Sequence, residues 1–118
     1  MTAPLAPTPL LGTWINTNPK APGIVRIDLT APHGSLVVRV HGAGRPDPID
    51  WGEAAGSVYA HDPGSTEAMA FSALYDHGFL RVHLQANIKQ GVLVVASFNE
   101  IRDDSGRSSY FTREFFYR

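Results

Sequence analysis

The residues best suited to chemistry in this 118-residue chain stand at 50–53, where a tryptophan lies between two carboxylates after a loop rich in proline and glycine. From there Trp51 can stack on a ligand, and Asp50 can accept a hydrogen bond or act as a general base. The alternative is a structural corner between loop and strand, in which Trp51 fills the end of a barrel and Asp50 accepts backbone N–H groups. Both interpretations place this segment at one end of the fold.

A second set of chemical groups comes from the tripeptide Arg-x-His, which occurs as Arg39 with His41 and as Arg81 with His83. If these residues point inward, they form a cationic pocket for a carboxylate or phosphate, and His41 joins Asp50 as a candidate acid/base group. If they point outward, they belong to a solvated sheet face. The aliphatic residues on the opposite faces of both runs favour the outward orientation.

Several classes of site are excluded by what the chain lacks. There is no cysteine, so disulfides, zinc–thiolate sites and thiol nucleophiles are excluded. A metal site would require His41, His83 and Asp28 to converge across strands, and we expect neither a metal nor a cofactor. There is no Gly-x-Ser-x-Gly elbow, phosphate-binding loop or dinucleotide fingerprint, which argues against a hydrolase, a kinase or a dehydrogenase.

Charge and length limit the partners further. The net charge is −1, and the ten lysines and arginines are scattered, so we expect no nucleic-acid partner. No apolar stretch approaches the ~20 residues that span a bilayer, so we expect no membrane association. Residues 1–9 contain three prolines but no features of a signal peptide, which predicts a cytoplasmic protein. We predict a Pro-rich arm over 1–9 and a single domain over 10–118.

The elements that must position these groups are predicted to be strands. Turn signals separate eight short runs rich in Val, Ile, Leu and aromatic residues, a pattern typical of all-β folds. The runs span 10–17, 23–30, 35–41, 50–60, 67–75, 79–86, 92–101 and 108–117. Glycine-containing turns join most neighbours, and the runs 23–30, 35–41 and 79–86 alternate so that one side is apolar. This predicts an eight-stranded antiparallel up-and-down barrel or a flattened half-barrel. Closure removes exposed edge strands and is favoured.

The first run opens with Gly12-Thr13-Trp14, which resembles the Gly-x-Trp at the start of the calycin barrels, the lipocalins and avidins. The resemblance implies that Trp14 closes one end of the barrel. It also implies that an arginine of the last run, Arg113 or Arg118, packs over the indole as a cation–π partner.

A wider resemblance covers nearly the whole chain and is to an uncharacterised family of small bacterial domains. The segments that carry it are Gly12-Thr13-Trp14-Ile15-Asn16, Gly23-Ile24-Val25-Arg26, Asp50-Trp51-Gly52 and Gly106-Arg107-Ser108-Ser109-Tyr110. Members often carry a cysteine pair in the loop before Asp-Trp-Gly, whereas residues 42–49 here contain none. The resemblance therefore implies a fold rather than an activity.

Three functions remain open at this point. The first is a barrel that binds a small, largely apolar molecule, in a bacterial biosynthetic pathway. The residues expected to bind it are Trp14, Trp51, Tyr59, Phe71, Tyr75, Arg39, Arg81 and His83. The second is a cofactor-free cyclase or isomerase, with Asp50 and His41 as acid/base groups. The third is a structural partner for peptides or proteins. Because the last run is aromatic on both faces, we also predict a homodimer through this C-terminal strand.

Overall fold

Residues 5–118, which the computed structural model describes, form nine antiparallel strands preceded by a short 3₁₀ helix (Thr8–Leu10). The strands are β1 (Gly12–Asn16), β2 (Ile24–Thr30), β3 (Val37–Gly42), β4 (Ile49–Ala55), β5 (Ser57–Ala60), β6 (Ala68–Asp76), β7 (Leu80–Lys89), β8 (Val92–Ile101) and β9 (Tyr110–Tyr117). They form one sheet in the order β4-β3-β2-β1-β9-β8-β7-β6-β5. The predicted all-β, up-and-down barrel is confirmed.

The sheet closes almost completely, because its two outermost strands are consecutive in the chain. Only Gly56 separates β4 from β5, and its N–H donates a hydrogen bond to the carbonyl of Leu36 at 2.9 Å. The segment predicted as one strand over 50–60 therefore bends at Gly56, pairing first with β3 and then with β6. This bend is the reason for nine strands rather than eight.

Gly56 allows the bend because it has no side chain. A Cβ at this position would lie 2.7 Å from Cδ2 of Leu36 and 3.2 Å from Cγ2 of Val38, both of which are buried. A larger residue would push into the core at the point where the strand changes partners.

The core follows the predicted alternation. The inward residues of β3 and β7, among them Val38, Val40, Val82 and Leu84, are fully buried. Alternation with Ile27 and Leu29 predicts that Val25 faces the core. Near the start of β2, however, the register shifts between Ile24 and Arg26, so Ile24 is buried and Val25 is only half-buried. A bulge adds one residue to a strand and thereby reverses the faces before it.

Glycine-containing hairpins connect neighbouring strands as the sequence predicts. The turn glycines at 34, 78, 91 and 106 all have positive φ angles between 77° and 87°. At the β7–β8 turn, Gln90 also has a positive φ of 53°, the backbone that a two-residue hairpin of the primed type requires. These turns make strands that are adjacent in the chain adjacent in the sheet.

One end of the barrel is closed by Trp14, which is fully buried. Its indole Nε1 donates to the carbonyl of Leu10 at 2.9 Å, and the guanidinium carbon of Arg118 lies 4.3 Å from the ring centroid. Arg118 also donates to the carbonyls of Pro9 and Leu11. The predicted cation–π contact over Trp14 is thus present, and Arg118 rather than Arg113 provides the cation.

The described part of the predicted N-terminal arm lies at this same end. Ala6 forms a parallel bridge with Glu67, and its N–H donates to the carbonyl of Thr66 at 2.9 Å. Leu10 is completely buried beneath the 3₁₀ helix. Residues 1–4 of the predicted arm lie outside the described residues.

Candidate functional site

The opposite end of the barrel is open and contains a pocket of about 260 Å³. The loops before β2 and after β3 form part of its rim, with Pro22, Gly23 and Ala43. The sequence has three longer links between its predicted strands, at 18–22, 42–49 and 61–66, and such loops are expected at a mouth. The first two lie here, whereas the third lies at the closed end beside Ala6. We call this space the mouth pocket.

Polar residues line the mouth pocket because the inward residues of two paired strands, β8 and β9, change from apolar to polar along each strand. The inward side of β8 begins with Leu93 and Val95 and continues with Ser97 and Asn99, which are buried. On β9, Phe116 is buried, whereas Thr112 and Glu114 line the pocket. The strand register places Thr112 opposite Ser97. The barrel interior is thus apolar at its closed end and polar at its mouth.

Asn16 connects β1 to this polar region and orients Glu114. Its side-chain nitrogen donates to the carbonyl of Ile24 at 2.8 Å and to Oε2 of Glu114. Its oxygen accepts the N–H of Asn18 at 2.8 Å. Both polar atoms of the Asn16 amide therefore have hydrogen-bond partners, and one oxygen of Glu114 is held against the barrel wall.

Among residues 5–118, Glu114 has no cationic partner within ion-pair distance. Nearby polar side chains that form hydrogen bonds do so with other groups of the barrel wall. Asn99, for example, donates to the carbonyls of Ser97 and Tyr110. A half-buried carboxylate without a positive partner can accept a hydrogen bond from a cationic or polar group that enters the pocket.

Trp51 forms the aromatic side of the mouth pocket. Its ring packs edge-on against Tyr75 and His77, with centroids 5.5 and 5.3 Å apart. It lies over Gly42, where a Cβ would come within 2.6 Å of the indole nitrogen. The indole both fills the barrel end and presents a surface to the pocket, so the two interpretations of Trp51 are compatible.

The Tyr75 side chain crosses the barrel and forms hydrogen bonds with backbone groups at a bulge between β3 and β4. The register between β3 and β4 shifts between Arg39 and His41. At this bulge the Tyr75 hydroxyl accepts the N–H of Val40 at 3.2 Å and lies 2.8 Å from the carbonyl oxygen of Gly52. Burial raises the pKa of this phenol. Its polar atom is thus occupied by backbone groups.

The predicted acid/base pair lies outside the barrel. His41 and Asp50 are direct register partners on β3 and β4. Asp50 is bound by the Arg39 guanidinium, at 2.6 Å in the shortest contact, and by the N–H of Gly52. These hydrogen bonds, that of Arg39 first, lower the pKa of Asp50 to about 2, which makes it a weak base at neutral pH.

His41 belongs to a neighbouring network on the same outer surface. Its Nε2 lies 3.2 Å from Asp28, which also accepts hydrogen bonds from Thr13 and Arg26. Burial acts to raise the pKa of Asp28, but the hydrogen bonds from Arg26 and Thr13 outweigh it, and the net shift is downward. The outer face of β1–β4 is therefore a self-paired charged surface.

The other predicted ligand residues are dispersed. Trp14 and Phe71 are buried in the core, with 0% and 1% of their surface exposed. Tyr59 and His83 point outward on β5 and β7, and Arg81, also outward, lies 3.6 Å from Asp76. Both Arg-x-His segments thus face away from the interior. Of the predicted set, Trp51 lines the mouth pocket.

The sequence patterns did not predict that one group of polar residues would meet at the mouth. These residues are Asn16, Ser97, Asn99, Thr112 and Glu114. The signal was present in the alternation, because all five occupy inward positions of strands whose other inward residues are apolar. Their convergence was not predictable without the order in which β1, β8 and β9 pair.

Two further findings concern the described residues alone. No helix within 5–118 has the length and hydropathy needed to cross a bilayer. No group of three or more His, Asp or Glu side chains in that range is arranged to hold a metal ion.

Comparison of the chain with models of protein families, with curated proteins and with solved structures gave no match.

Proposed function

We propose that this protein binds a small molecule in the mouth pocket, through an amine or another hydrogen-bond donor directed at Glu114. The observation that supports this most strongly is the half-buried Glu114 carboxylate, held by Asn16 and without a cationic partner among the described residues. A carboxylate in such a place is costly to desolvate unless it is paired. A ligand cation would supply the missing partner.

The rest of the pocket suits a largely apolar ligand body. Trp51, Ile24 and Leu80 line it together with the polar groups. An ammonium group close to an indole also gains from the negative potential of the ring face. The proposed ligand is therefore a largely apolar molecule that carries a cationic group or another hydrogen-bond donor at one end.

The pocket volume limits the size of this ligand. About 260 Å³ is the liquid volume of roughly nine water molecules, at ~30 Å³ each, and lies just below the usual range for drug-sized ligands. A single ring with a short side chain fits these dimensions. The large apolar ligands of open barrels do not, because Trp14, Phe71 and Phe116 fill the closed end.

A charge-matched series of probes tests this proposal. Benzylamine, benzyl alcohol and benzoate have nearly the same shape but carry a positive charge, no charge and a negative charge. We expect benzylamine to shift the NMR resonances of Trp51, Asn16 and Ser97, and benzoate to leave them unchanged. Glu114→Gln should weaken benzylamine binding by about tenfold or more, since a hydrogen bond to a charged group contributes ~1.5–3 kcal/mol.

The matched control is Glu100→Gln, which removes a carboxylate from an exposed position on β8. Its affinity for benzylamine should equal that of the unmodified protein. Equal binding of benzoate and benzylamine, or unchanged affinity in Glu114→Gln, would overturn the proposal.

A second candidate function, a cofactor-free isomerase or cyclase, is favoured by the same carboxylate. Glu114 is better placed than Asp50 to accept a proton from a bound molecule, because Asp50 is paired with Arg39 on the outer surface. A compound that co-purifies with the protein, identified by native mass spectrometry, provides the substrate to assay. Turnover should be lost in Glu114→Gln and retained in Asp50→Asn; the reverse result would contradict the assignment.

The calycin resemblance remains part of this proposal. The nearly closed antiparallel barrel and the Trp14–Arg118 contact support a relationship with calycins. Small-molecule binding at the open end of such a barrel is the function this relationship suggests.

A further inference from the structure

Strand pairing aligns the outward residues of β5–β9 in rows that run across the strands. Three adjacent rows, which we call the aromatic face, differ in composition from the charged outer face of β1–β4, whereas the next row, Asp76, Arg81 and Glu100, is charged and borders this face. The middle row contains Ser57, Ser72, Gln85, Ala96 and Arg113. The first flanking row contains Tyr59, Ala70, Asn87, Val94 and Phe115. The second contains Leu74, His83, Phe98 and Phe111.

The middle row forms the floor of a groove because most of its side chains are short. This groove has a volume of about 700 Å³ and is open to solvent along the face. Ala96, on its floor, is 9% exposed although it points outward. Beside the groove stands a ridge in which Phe98 and Phe111 stack with ring centroids 6.0 Å apart. A groove and a ridge thus run side by side on one surface.

The three rows contain no Asp, Glu or Lys, and Arg113 is their one permanently charged residue. No ion pair or side-chain hydrogen bond joins Arg113 to another residue within 5–118. Enrichment in aromatic residues and arginine, with depletion of other charges, is typical of the centre of protein–protein interfaces. The outer face of β1–β4, with Arg26, Asp28 and Arg39, has the composition of a solvated surface.

The exposed area is close to what a stable dimer needs. Tyr59, Leu74, Phe98, Phe111 and Phe115 are between 44% and 61% exposed. At about 100 Å² for a half-exposed large side chain, these five contribute roughly 500 Å². The groove floor and the polar side chains of the rows bring the face toward the ~800 Å² per partner of a standard interface.

We propose that a second copy of this chain docks on the aromatic face, with the ridge of each copy seated in the groove of the other. A two-fold symmetric interface requires one patch to be complementary to itself, and this face carries both shapes side by side. In this arrangement Arg113 lies beside the second copy's Phe98–Phe111 stack and gains a cation–π contact. The face is separate from the mouth pocket, so ligand binding and dimerisation can fail independently.

The test is the oligomeric state at micromolar concentration, measured by light scattering after size exclusion and by sedimentation. The unmodified protein should have twice the chain mass of 12.8 kDa. Phe111→Glu, which places a charge on the ridge, should give a monomer. Ser72→Arg, which places a charge in the groove, should do the same, since both shapes are required.

The matched control is Ile49→Glu, which makes the same kind of change at a residue 57% exposed on β4, outside the aromatic face. It should remain a dimer. Circular dichroism must show that a variant retains its fold before its oligomeric state is interpreted. If only one of Phe111→Glu and Ser72→Arg is folded, that variant alone is used for the test. A monomeric unmodified protein would overturn the proposal and leave the face to another partner. A dimer that persists in a folded Phe111→Glu or Ser72→Arg variant would overturn it as well.

Discussion

At the scale of single residues, the same residue type has different roles depending on where the strand directs it. Asp50 and Glu114 are both carboxylates near one end of the barrel. Asp50 is saturated by Arg39 on the outside, whereas Glu114 faces the mouth pocket and is held only by Asn16 among the described residues. Residue type therefore indicates what chemistry is available, and orientation decides which residue can use it.

Tyr75 offers a test at this scale. Tyr75→Phe removes the hydroxyl that accepts the Val40 N–H and leaves this buried backbone donor unpaired. We expect the free energy of unfolding to fall by about 1–3 kcal/mol. Urea denaturation measures the change, with Tyr117→Phe as the control, because that hydroxyl is exposed. Equal stability of the two variants would show that the Tyr75 hydroxyl is not needed at the bulge.

At the scale of elements, the bend at Gly56 makes one predicted strand into two. A straight strand over 50–60 would continue in the direction of β4 and leave β6 paired with β7 alone. The bend lets β4 remain with β3 while β5 pairs with β6. One glycine thereby brings the two edges of the sheet together, and the nearly closed barrel has a mouth with a pocket.

Gly56→Ala tests this role. The added methyl would meet the buried side chain of Leu36, so we expect a loss of about 1–3 kcal/mol from overpacking. Gly23→Ala is the matched control, because nothing lies within 4 Å of a Cβ built there and its φ is not positive. That variant should be neutral or slightly more stable. Thermal unfolding of both proteins makes the comparison, and similar melting temperatures would contradict a steric role for Gly56.

At the scale of the whole molecule, the two ends of the barrel are built differently. The closed end is built from Trp14, Leu10 and Arg118, which join the first and last strands. The register between β1 and β9 covers only Ile15 with Tyr117 and Asn16 with Phe116. Because this seam is short, contacts beyond it must help to hold the barrel closed.

Arg118→Ala should weaken this seam. It removes the cation over Trp14 and the donors to the carbonyls of Pro9 and Leu11, for a loss of about 1–2 kcal/mol. Amide hydrogen exchange in β1 should accelerate relative to the unmodified protein, and it should accelerate more there than in β7. Arg45→Ala, in an exposed loop, is the control and should change neither stability nor exchange. Unaltered exchange in β1 of Arg118→Ala would argue against this role.

Much of the fold is determined by the sequence itself, because local physics suffices for it. Alternation sets the inward and outward faces of β3 and β7, and glycines that adopt positive φ angles set the hairpins between neighbours. The outward orientation of both Arg-x-His segments follows from the same period of two. The closed end at Trp14 is implied by the resemblance of Gly12-Thr13-Trp14 to the start of the calycin barrels, and not by local physics.

Only the tertiary structure decided where the candidate site lies. Asn16, Ser97 and Glu114 come from strands far apart in the chain, and they meet because β9 pairs with both β1 and β8. The alignment of the aromatic face depends in the same way on the register of five strands. Periodicity within one strand tells which side a residue takes, but it contains no information on which residue of another strand stands beside it.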